Sequence, residues 1–522
     1  MNTRIRCRVA AALLGEVVLS SVAFSQNVYH LDVSTTTGVD LTGYDSGSMI
    51  GPATADISFS GSLLGAAGTA ASPFEYIGMG KQTTVTADNS GFHTLPLKLY
   101  NADGVTATST LKFNANGNTT AKFCANELLD IGAHNLVTFG YGSCYGQATL
   151  SGRDIKVHDG GRLTTSYRMY FGCDKPIGIS IVDGGSISVS QSIRIGWQNS
   201  ATSSLSEPLT AFVGITNGTF SVGDIAYLQY NVDTSDYETA NCRIVLGPNA
   251  VFSANQVRHH GGGRTDFTFD GGSFVSSSAD LRTPLFYADG TGYGNTWPNP
   301  RIWLIGANGH PIEIEISADR ELAGGKSSDQ CMVYVSGNGG FTKRGAGTLF
   351  FNRKGKAVCD YTGPTAILGG GIVVSNDTFK VGCGDLSIAE GAFLDLNGFD
   401  AEFAGATGGG IVTNGAAATS TLTLGYGGAD AAFSVAVGER INVVKTGAGT
   451  LTISGAALAN GCNLTVEAGK VVFAGSSSTF GTVTVASGAT LDTTGTRFSC
   501  ANLVRMPGAT ILPPEATVMI VR

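Results

Sequence analysis

Apolar and polar residues alternate in short segments along most of the chain. Every second residue is apolar in residues 177–181, 187–189, 193–197, 312–316 and 483–485. Alternation with period two over a few residues predicts strands that are buried on one face. Long segments with a helical period are missing. The nearest one, residues 121–131, is short and has no cap, so we expect little helix.

Many of these segments follow a polar residue and a glycine. The pairs include Asp159-Gly160, Asp183-Gly184, Asn217-Gly218, Asp270-Gly271 and Ser487-Gly488. Such pairs supply the positive φ that a sharp corner needs. From one such pair to the next, the spacing along the chain is mostly between about 20 and the low thirties of residues. This period is typical of a solenoid, whose units must stack to bury their apolar faces.

Two architectures suit short strands joined by glycine turns. Antiparallel hairpins would form sandwiches or barrels, each complete in roughly 100 residues and followed by a linker. No Pro-rich or charged linker interrupts residues 26–522. We therefore predict an all-β fold that forms one long right-handed parallel β-helix. A length of 522 residues is compatible with this fold, because a solenoid grows along one axis without enlarging its core.

The first residues have the pattern of a secretory signal peptide. Arg4, Arg6 and Arg8 precede a mostly apolar stretch over residues 9–24, and small residues stand before Gln26. An N-terminal basic region, an apolar region and a small-residue cleavage site direct export. We predict that residues 1–25 are removed and that the protein is exported.

The repeats change in character near residue 330. Residues 26–330 are predicted to form an irregular β-helix region that is richer in aromatic residues, and residues 331–522 a more regular one. The clearest repeat is the segment 343–349, Lys-Arg-Gly-Ala-Gly-Thr-Leu, which returns at 445–451 as Lys-Thr-Gly-Ala-Gly-Thr-Leu. Strand alternation predicts two sets of side chains in these copies. The inward set is Leu349, Phe351, Leu451 and Ile453, and the outward set is Thr348, Thr450 and Thr452.

This repeated segment resembles the autotransporter-associated β-strand repeat, also called the passenger-associated transport repeat. The first copy continues with Tyr-Thr-Gly-Pro-Thr at 361–365, whereas the second copy lacks that element. The resemblance covers residues 338–495. It implies an exported right-handed β-helix of the pectin-lyase-like kind, usually the passenger region of a bacterial surface protein. Residues 510–522 resemble neither a membrane barrel, a cell-wall sorting signal nor an anchor, so we expect no anchoring element there.

The charge and hydrophobic content of the chain argue against several classes of protein. Charged residues make up only 14%, the net charge is −8, and lysines and arginines do not cluster along the sequence. This argues against the electrostatic pattern of a nucleic-acid-binding protein. The 42% hydrophobic content excludes a disordered chain. After residue 25 no apolar run is long enough for a membrane helix, so we expect no transmembrane segment in the mature chain.

Known cofactor and metal motifs are missing. Residues 324–327, Gly-Gly-Lys-Ser, resemble the end of a phosphate-binding loop, but Arg320 stands where that loop requires its first glycine. We expect no nucleotide, no other cofactor and no metal site. Among 10 cysteines, Cys7 lies in the predicted leader, and the odd remainder implies that at least one thiol is unpaired or pairs between chains. The absence of any Cys-x-x-Cys argues against the common zinc and thioredoxin-type sites. Because the protein is predicted to be exported, we expect a few disulfides, with the other cysteines as small buried core residues.

One segment carries residues suited to catalysis. His259 and His260 precede a glycine run, and Asp266 and Asp270 follow it. A polysaccharide lyase or glycoside hydrolase needs paired carboxylates, or a base with a metal or arginine. The alternative interpretation is a corner loop with solvated charges. A groove lined by several carboxylates and basic residues near 258–303 would favour the enzyme.

The densest aromatic stretch comes next. Tyr287, Tyr293, Trp297 and Trp303 lie close together, and prolines interrupt the stretch, so residues 284–300 are predicted to project as a loop. Exposed rings there would stack on sugars, or they would instead cap a small hydrophobic cluster. We take the four aromatic residues as candidate ligand-binding residues.

The sequence favours an exported, non-enzymatic structural or adhesin-like β-helix. Its place would be outside the cell or at the outer membrane, with the periplasm as an alternative. Its partners would be surface glycans or other surface proteins. The competing hypothesis is a secreted β-helix enzyme that acts on polysaccharide.

Overall fold

The fold comes from a computed structural model. It describes most of the chain between residues 74 and 512, with gaps, and a few strands outside that span. The described residues are 28–29, 48–50, 57–60, 74–87, 92–93, 97–115, 122–123, 128–141, 147–150, 154–173, 176–197, 210–230, 240–276, 278, 283–289, 291–292, 295–296, 301–325, 332–351, 357–375, 384–455, 461–474, 478–494, 496–512 and 520–521. The predicted signal peptide, residues 1–25, lies outside them.

Long parallel sheets dominate the described residues. Sheet 1 has 13 strands: Val28–Tyr29, Ser48–Ile50, Phe74–Gly78, Leu97–Asn101, Leu128–Ile131, Asp154–Val157, Ile177–Val182, Ala211–Thr216, Ala240–Leu246, Arg264–Phe269, Arg301–Gly306, Met332–Gly337 and Ala357–Cys359. Sheet 2 is the longest: Ile57–Ser60, Gln82–Ala87, Ser109–Ala115, Asn135–Tyr141, Arg162–Thr165, Ser186–Val189, Thr219–Val222, Val251–Ser253, Ser273–Ser276, Ile312–Ile316, Phe341–Arg344, Thr365–Ile367, Leu386–Ile388, Ala406–Thr407, Ala431–Phe433, Thr450–Ile453, Lys470–Phe473, Thr490–Asp492 and Thr510–Leu512. Sheet 3 has nine strands: Phe92–His93, Lys122–Phe123, Gln147–Leu150, Arg168–Cys173, Ile193–Trp197, Ile225–Tyr230, Gln256–His259, Phe286–Ala288 and Ala323–Gly325.

Two further parallel sheets serve the C-terminal coils. Sheet 4 has six strands: Arg320–Glu321, Thr348–Phe351, Gly371–Val374, Phe393–Asp395, Ile411–Thr413 and Ala436–Val437. Sheet 5 has seven strands: Ala401–Phe403, Ser420–Leu424, Ile441–Lys445, Leu464–Val466, Ser478–Val485, Phe498–Arg505 and Ile520–Val521. A small antiparallel pair joins Thr291–Gly292 to Asn295–Thr296. The helical content of the described residues is one 3₁₀ turn, Tyr426–Gly428.

The order of the strands makes the molecule a parallel β-helix, which confirms the predicted fold class. In the N-terminal part the chain passes from sheet 1 to sheet 2 to sheet 3, and then returns to sheet 1 one coil later. Sheet 2 continues from residue 57 to residue 512, while sheet 3 ends at Ala323–Gly325 and sheet 4 begins at Arg320–Glu321. Within the described part of the chain, no helix is long and apolar enough to cross a membrane.

The core lies inside the coils and is built from ladders of like residues. In sheet 2, Phe220, Phe252 and Phe274 occupy the same position in three successive coils and are fully buried. The inward set predicted from the repeated segment is confirmed, because all four of its members are 0% exposed. The three threonines of the outward set are half-buried.

The first lysine of the repeated segment is a core residue. Lys343 is in register with Ile314 in the preceding coil and Ile367 in the following one, and its side chain is fully buried. Its Nζ donates hydrogen bonds to Gly345 O at 2.7 Å and to Gly369 O at 2.9 Å. The ammonium thus satisfies carbonyl groups that face the interior, while the aliphatic stem packs in the core.

The second lysine repeats this arrangement. Lys445 takes the ladder position between Leu424 and Val466 and is fully buried. Its Nζ donates to Gly447 O at 2.8 Å and to Ala468 O at 3.3 Å. The two sequence copies are therefore structural copies as well.

An aspartate from the preceding coil completes each copy. Thr348 N donates to Asp319 Oδ1 at 2.7 Å, and Thr450 N donates to Asp430 Oδ1 at 2.7 Å. Both aspartates follow an alanine, and neither belongs to the repeated segment itself. The repeat therefore includes a partner that lies 20 or 29 residues earlier in the chain.

Candidate functional site

The structure separates the predicted aromatic residues. Tyr287 lies in the strand Phe286–Ala288 of sheet 3, and Trp303 lies in the strand Arg301–Gly306 of sheet 1. Tyr293 and Trp297 lie outside the described residues. The prediction of one projecting loop over residues 284–300 is therefore wrong for Tyr287, because residues 286–288 pair with neighbouring coils on both sides.

Trp303 belongs to a surface on the outer side of sheet 1. Arg243, Asp266, Trp303 and Tyr334 occupy one register position in four successive coils. Arg264 and Arg301 stand two residues earlier in their strands and share this side. We call these six residues the tryptophan face.

The aromatic rings of the tryptophan face are held flat against one another. The rings of Trp303 and Tyr334 are stacked, with centroids 4.5 Å apart and planes inclined by 12°. Arg264 covers the Trp303 ring with its guanidinium carbon 4.4 Å from the centroid, and Arg301 lies 5.8 Å from the Tyr334 centroid. Such cation–π contacts hold arginine and ring together at a partly exposed site.

The tryptophan face carries net positive charge. Arg264 and Asp266 form an ion pair, with Nε to Oδ1 at 2.5 Å and Nη2 to Oδ2 at 3.1 Å. Arg243 is exposed, and Arg301 is half-buried beside Tyr334. Three arginines against one aspartate leave an excess of two positive charges, in a chain whose overall charge is −8.

A second ladder of aromatic and basic residues follows sheet 3. Tyr170, Arg194, Tyr227, Arg258 and Tyr287 are in register through five coils. Arg194 lies 4.5 Å from the Tyr170 centroid, and Arg258 lies 5.0 Å from that of Tyr287. Tyr170 is only 1% exposed, so its ring offers almost no surface to a ligand.

The second ladder includes an ion pair between the half-buried Arg258 and the buried Asp289. Arg258 Nε donates to Asp289 Oδ2 at 2.8 Å, and the Asp289 carboxylate is 3% exposed. His260 Nε2 lies 3.7 Å from the same oxygen, which is beyond hydrogen-bond distance. Burial, helped by the charges of Arg258 and Arg194, lowers the pKa of His260 to about 4 although Asp289 opposes the shift. His260 is therefore neutral at physiological pH.

The corner predicted here is present, because residues 260–263 join the sheet 3 strand Gln256–His259 to the sheet 1 strand Arg264–Phe269, but its two histidines are buried and not solvated. His259 is fully buried, with Nδ1 2.8 Å from Thr265 Oγ1 and Nε2 3.2 Å from Gly262 O. Burial lowers its pKa to about 4. His259 is thus a hydrogen-bonded core histidine, and only His260 approaches the charged groups of the ladder.

The two carboxylates that the sequence offered as a catalytic pair, Asp266 and Asp270, each have a different partner. Asp266 is paired with Arg264, and Asp270 accepts a hydrogen bond from Asn308 Nδ2 at 3.1 Å. Asp270 lies just beyond the end of the strand Arg264–Phe269 that contains Asp266. Among the described residues near 258–303, Asp266 and Asp289 lie toward different sheets, and each is bound to its own arginine.

Four of the cysteines in the described part of the chain are buried thiols. Cys242, Cys359, Cys462 and Cys500 are free, buried thiols, which matches the expectation that some cysteines are core residues. Burial raises the pKa of Cys242 to about 12 and that of Cys462 to about 11. The described residues hold no group of three or more His, Cys, Asp or Glu arranged for a metal ion.

The tryptophan face is not recognisable in the sequence because its members are dispersed along the chain. Arg243, Arg264 and Arg301 are separated by 21 and 37 residues, so no basic run is visible. They meet because consecutive strands of a sheet are one coil apart. The sequence could have revealed this surface only if the boundaries of each coil were known, because these residues then occupy outward positions at corresponding places in successive strands.

Comparison with known proteins gives one informative similarity. The chain is 30% identical over 202 residues, 38% of its length, to "Adhesin BmaC autotransporter" of Brucella suis biovar 1 (strain 1330). The matched part is 6% of the length of that adhesin. No protein-family profile matches the chain, so the repeat family suspected from residues 338–495 is not confirmed. No solved structure matches either.

Proposed function

We propose that this protein is an exported, adhesin-like β-helix of the bacterial cell surface that binds acidic glycans through the tryptophan face. The stacked pair of Trp303 and Tyr334 beneath Arg264 carries the proposal. The partial similarity to an autotransporter adhesin supports the surface role. The parallel β-helix supports it too, because a solenoid presents long flat faces outside a closed core.

The chemistry of the tryptophan face favours an acidic sugar polymer. Arg264 and Tyr334 cover the two faces of the Trp303 ring, so a sugar would pack its C–H groups against the solvent-facing ring edges and gain dispersion and hydrophobic contact there. Arg243 and Arg301 supply charge for carboxylate or sulfate groups, which guanidinium binds with good geometry. Two rings give weak affinity for a single site, and many copies on a cell would raise it through multivalency.

Bead attachment tests this proposal. Beads coated with the purified protein should attach to a hyaluronan-coated surface and not to a dextran-coated one, because dextran is neutral. Trp303→Ala and Arg301→Gln should each reduce attachment several-fold, and raised salt should weaken it because exposed charges are screened. Tyr426→Ala, at an exposed ring elsewhere, is the control. Equal attachment to both surfaces, or attachment unaffected by Trp303→Ala, would contradict the proposal.

An activity assay of the same purified protein tests the competing hypothesis of a polysaccharide-cleaving enzyme. Incubation of the protein with hyaluronan and with polygalacturonate should release neither reducing ends nor unsaturated products. Turnover that disappears in an Asp289→Asn or His260→Gln variant would support a polysaccharide-cleaving enzyme centred on the Arg258 ion pair instead.

A further inference from the structure

A groove opens on the outer side of sheet 4, away from the tryptophan face on sheet 1. Its volume is ≈ 840 Å³. Three phenylalanines and several small polar groups line it: Thr348, Phe350, Val373, Ser375, Phe393, Asp395, Asn397, Phe399 and Gly415. The three rings are half-buried, so each keeps part of its face accessible.

The register of the strands fixes the shape of the groove. Phe350, Val373 and Asp395 occupy one position in three successive coils. Beside them, Gly371 lies next to Phe393 in the ladder, and a Cβ on Gly371 would come within 2.2 Å of Phe393 Cζ. The Phe393 ring therefore lies flat across the backbone of the preceding coil, where a side chain would otherwise stand.

Asp395 presents one oxygen to the groove. Its Oδ1 accepts hydrogen bonds from Asn397 N at 2.9 Å and from Gly415 N at 2.8 Å. Its Oδ2 accepts none from the described residues. A Cβ on Gly415 would lie 2.7 Å from Oδ2, so the glycine leaves the approach to this oxygen open. The two amide donors fix the carboxylate before any ligand arrives.

We propose that this groove binds a short neutral oligosaccharide. The half-buried rings supply surfaces for the C–H faces of sugars, and Asp395 Oδ2 supplies a charged acceptor for a hydroxyl group. None of the lining residues is basic, so the carboxylate would repel a uronic acid or sulfated sugar. The rows from Phe350 to Gly415 span about 14 Å at the usual strand spacing, which suits an extended ligand. This site goes beyond the proposed function and uses none of the residues of the tryptophan face.

Calorimetric titration of the purified protein with cellohexaose, laminarihexaose and mannohexaose tests the groove, with trigalacturonate as the acidic counterpart. We expect at least one neutral hexaose to bind. Trigalacturonate is titrated into the Trp303→Ala variant, whose tryptophan face is weakened, and should bind there at least tenfold more weakly than the neutral hexaose. Asp395→Asn keeps an oxygen for the two amide donors but replaces the open acceptor with a donor. It should lower the association constant at least fivefold. Gly415→Ala should have a similar effect, because its methyl group covers Oδ2.

Controls separate a binding defect from a folding defect. Phe393→Ala should also weaken binding, whereas Tyr426→Ala, an exposed ring outside the groove, should leave it unchanged. Each variant is compared with the parent protein by circular dichroism and by its urea midpoint. No binding of any neutral hexaose would overturn the proposal, as would binding that Asp395→Asn and Gly415→Ala leave intact. Attachment to hyaluronan should be unaffected by the groove variants, so failure here is distinguishable from failure of the tryptophan face.

Discussion

The buried ammonium of Lys343 donates a hydrogen bond to the carbonyl of Gly369 in the next coil, with 2.9 Å between Nζ and O. A second bond to Gly345 O joins the same ammonium to the turn that follows its own strand. Burial lowers the pKa of Lys343 to about 8, although Asp319 and Glu315 oppose the shift. A charged residue inside the core is costly unless its donors are satisfied, and here the carbonyls of two coils satisfy them.

Lys343→Met should destabilise the protein although it preserves the volume and the apolar character of the lysine stem. Methionine fills the space of the lysine stem but leaves Gly345 O and Gly369 O without their donor. Loss of partners for buried polar groups costs about 1–3 kcal/mol. The measurement is the free energy of unfolding, obtained from a urea titration in which circular dichroism reports the loss of β-structure.

The matched control is Lys470→Met. Lys470 Nζ pairs with Asp492 at 2.8 Å, but the lysine side chain is 38% exposed. Surface ion pairs contribute about 0–1 kcal/mol, so this change should be nearly neutral. Equal effects of the two substitutions would show that Lys343 does not stabilise the turn in the way described.

Leu451→Ala and Thr452→Ala should differ sharply although the residues are neighbours. Leu451 is 0% exposed in the core, and Thr452 points to the opposite side of the same strand. Removing a buried leucine side chain typically costs about 2–5 kcal/mol, whereas the change at the half-buried Thr452 should cost under about 1 kcal/mol. Thermal and urea unfolding of both variants measure the difference, and similar losses would refute the assignment of faces.

His158 should make stability depend on pH. Its Nε2 lies 2.7 Å from Asp130 Oδ1 and its Nδ1 lies 2.7 Å from Asp159 Oδ2. Partial burial lowers the pKa of His158, but the hydrogen bonds to Asp159 and Asp130 outweigh it, and the net shift is upward. A raised pKa in the folded state means that the folded protein holds this proton more tightly than the unfolded chain. The resulting stabilisation is complete below the unfolded pKa of about 6.5 and is lost as pH rises through the folded value.

The measurement compares the parent protein with His158→Gln. The urea midpoint of the parent should exceed that of the variant at about pH 5.5, and the gap should narrow by about pH 9, since the unfolded pKa lies between them. A gap that stays constant, or widens with rising pH, would show that His158 is not held as a charged group between the two aspartates.

Strand alternation and turn chemistry were sufficient to predict the fold class. The period of two decides which residues of a strand enter the core, so Leu349 and Leu451 were assigned correctly from sequence alone. The lysine of the repeat was visible as a motif, but its role was not. A lysine at an inward position contradicts the usual pattern, and only the coil geometry brings the carbonyls of Gly369 and Ala468 to its ammonium.

The candidate surfaces were harder to predict because they are formed across coils. Tyr287 and Trp303 are close in sequence, yet they lie in strands of different sheets. Conversely, Trp303 and Tyr334 are 31 residues apart and stack directly. Sequence distance predicts spatial distance within a strand but not around a coil whose length varies from turn to turn.

Hydroxyl-radical footprinting of the protein with and without hyaluronan tests the central claim most directly, because it locates the bound glycan on individual side chains. The tryptophan face should be protected at Trp303 and Tyr334, while the exposed ring of Tyr426 and the groove ring of Phe393 keep their reactivity. Dextran at the same concentration should protect neither Trp303 nor Tyr334. Unchanged oxidation of Trp303 in the presence of hyaluronan, or equal protection by dextran, would contradict the assignment of the tryptophan face as the glycan-binding surface.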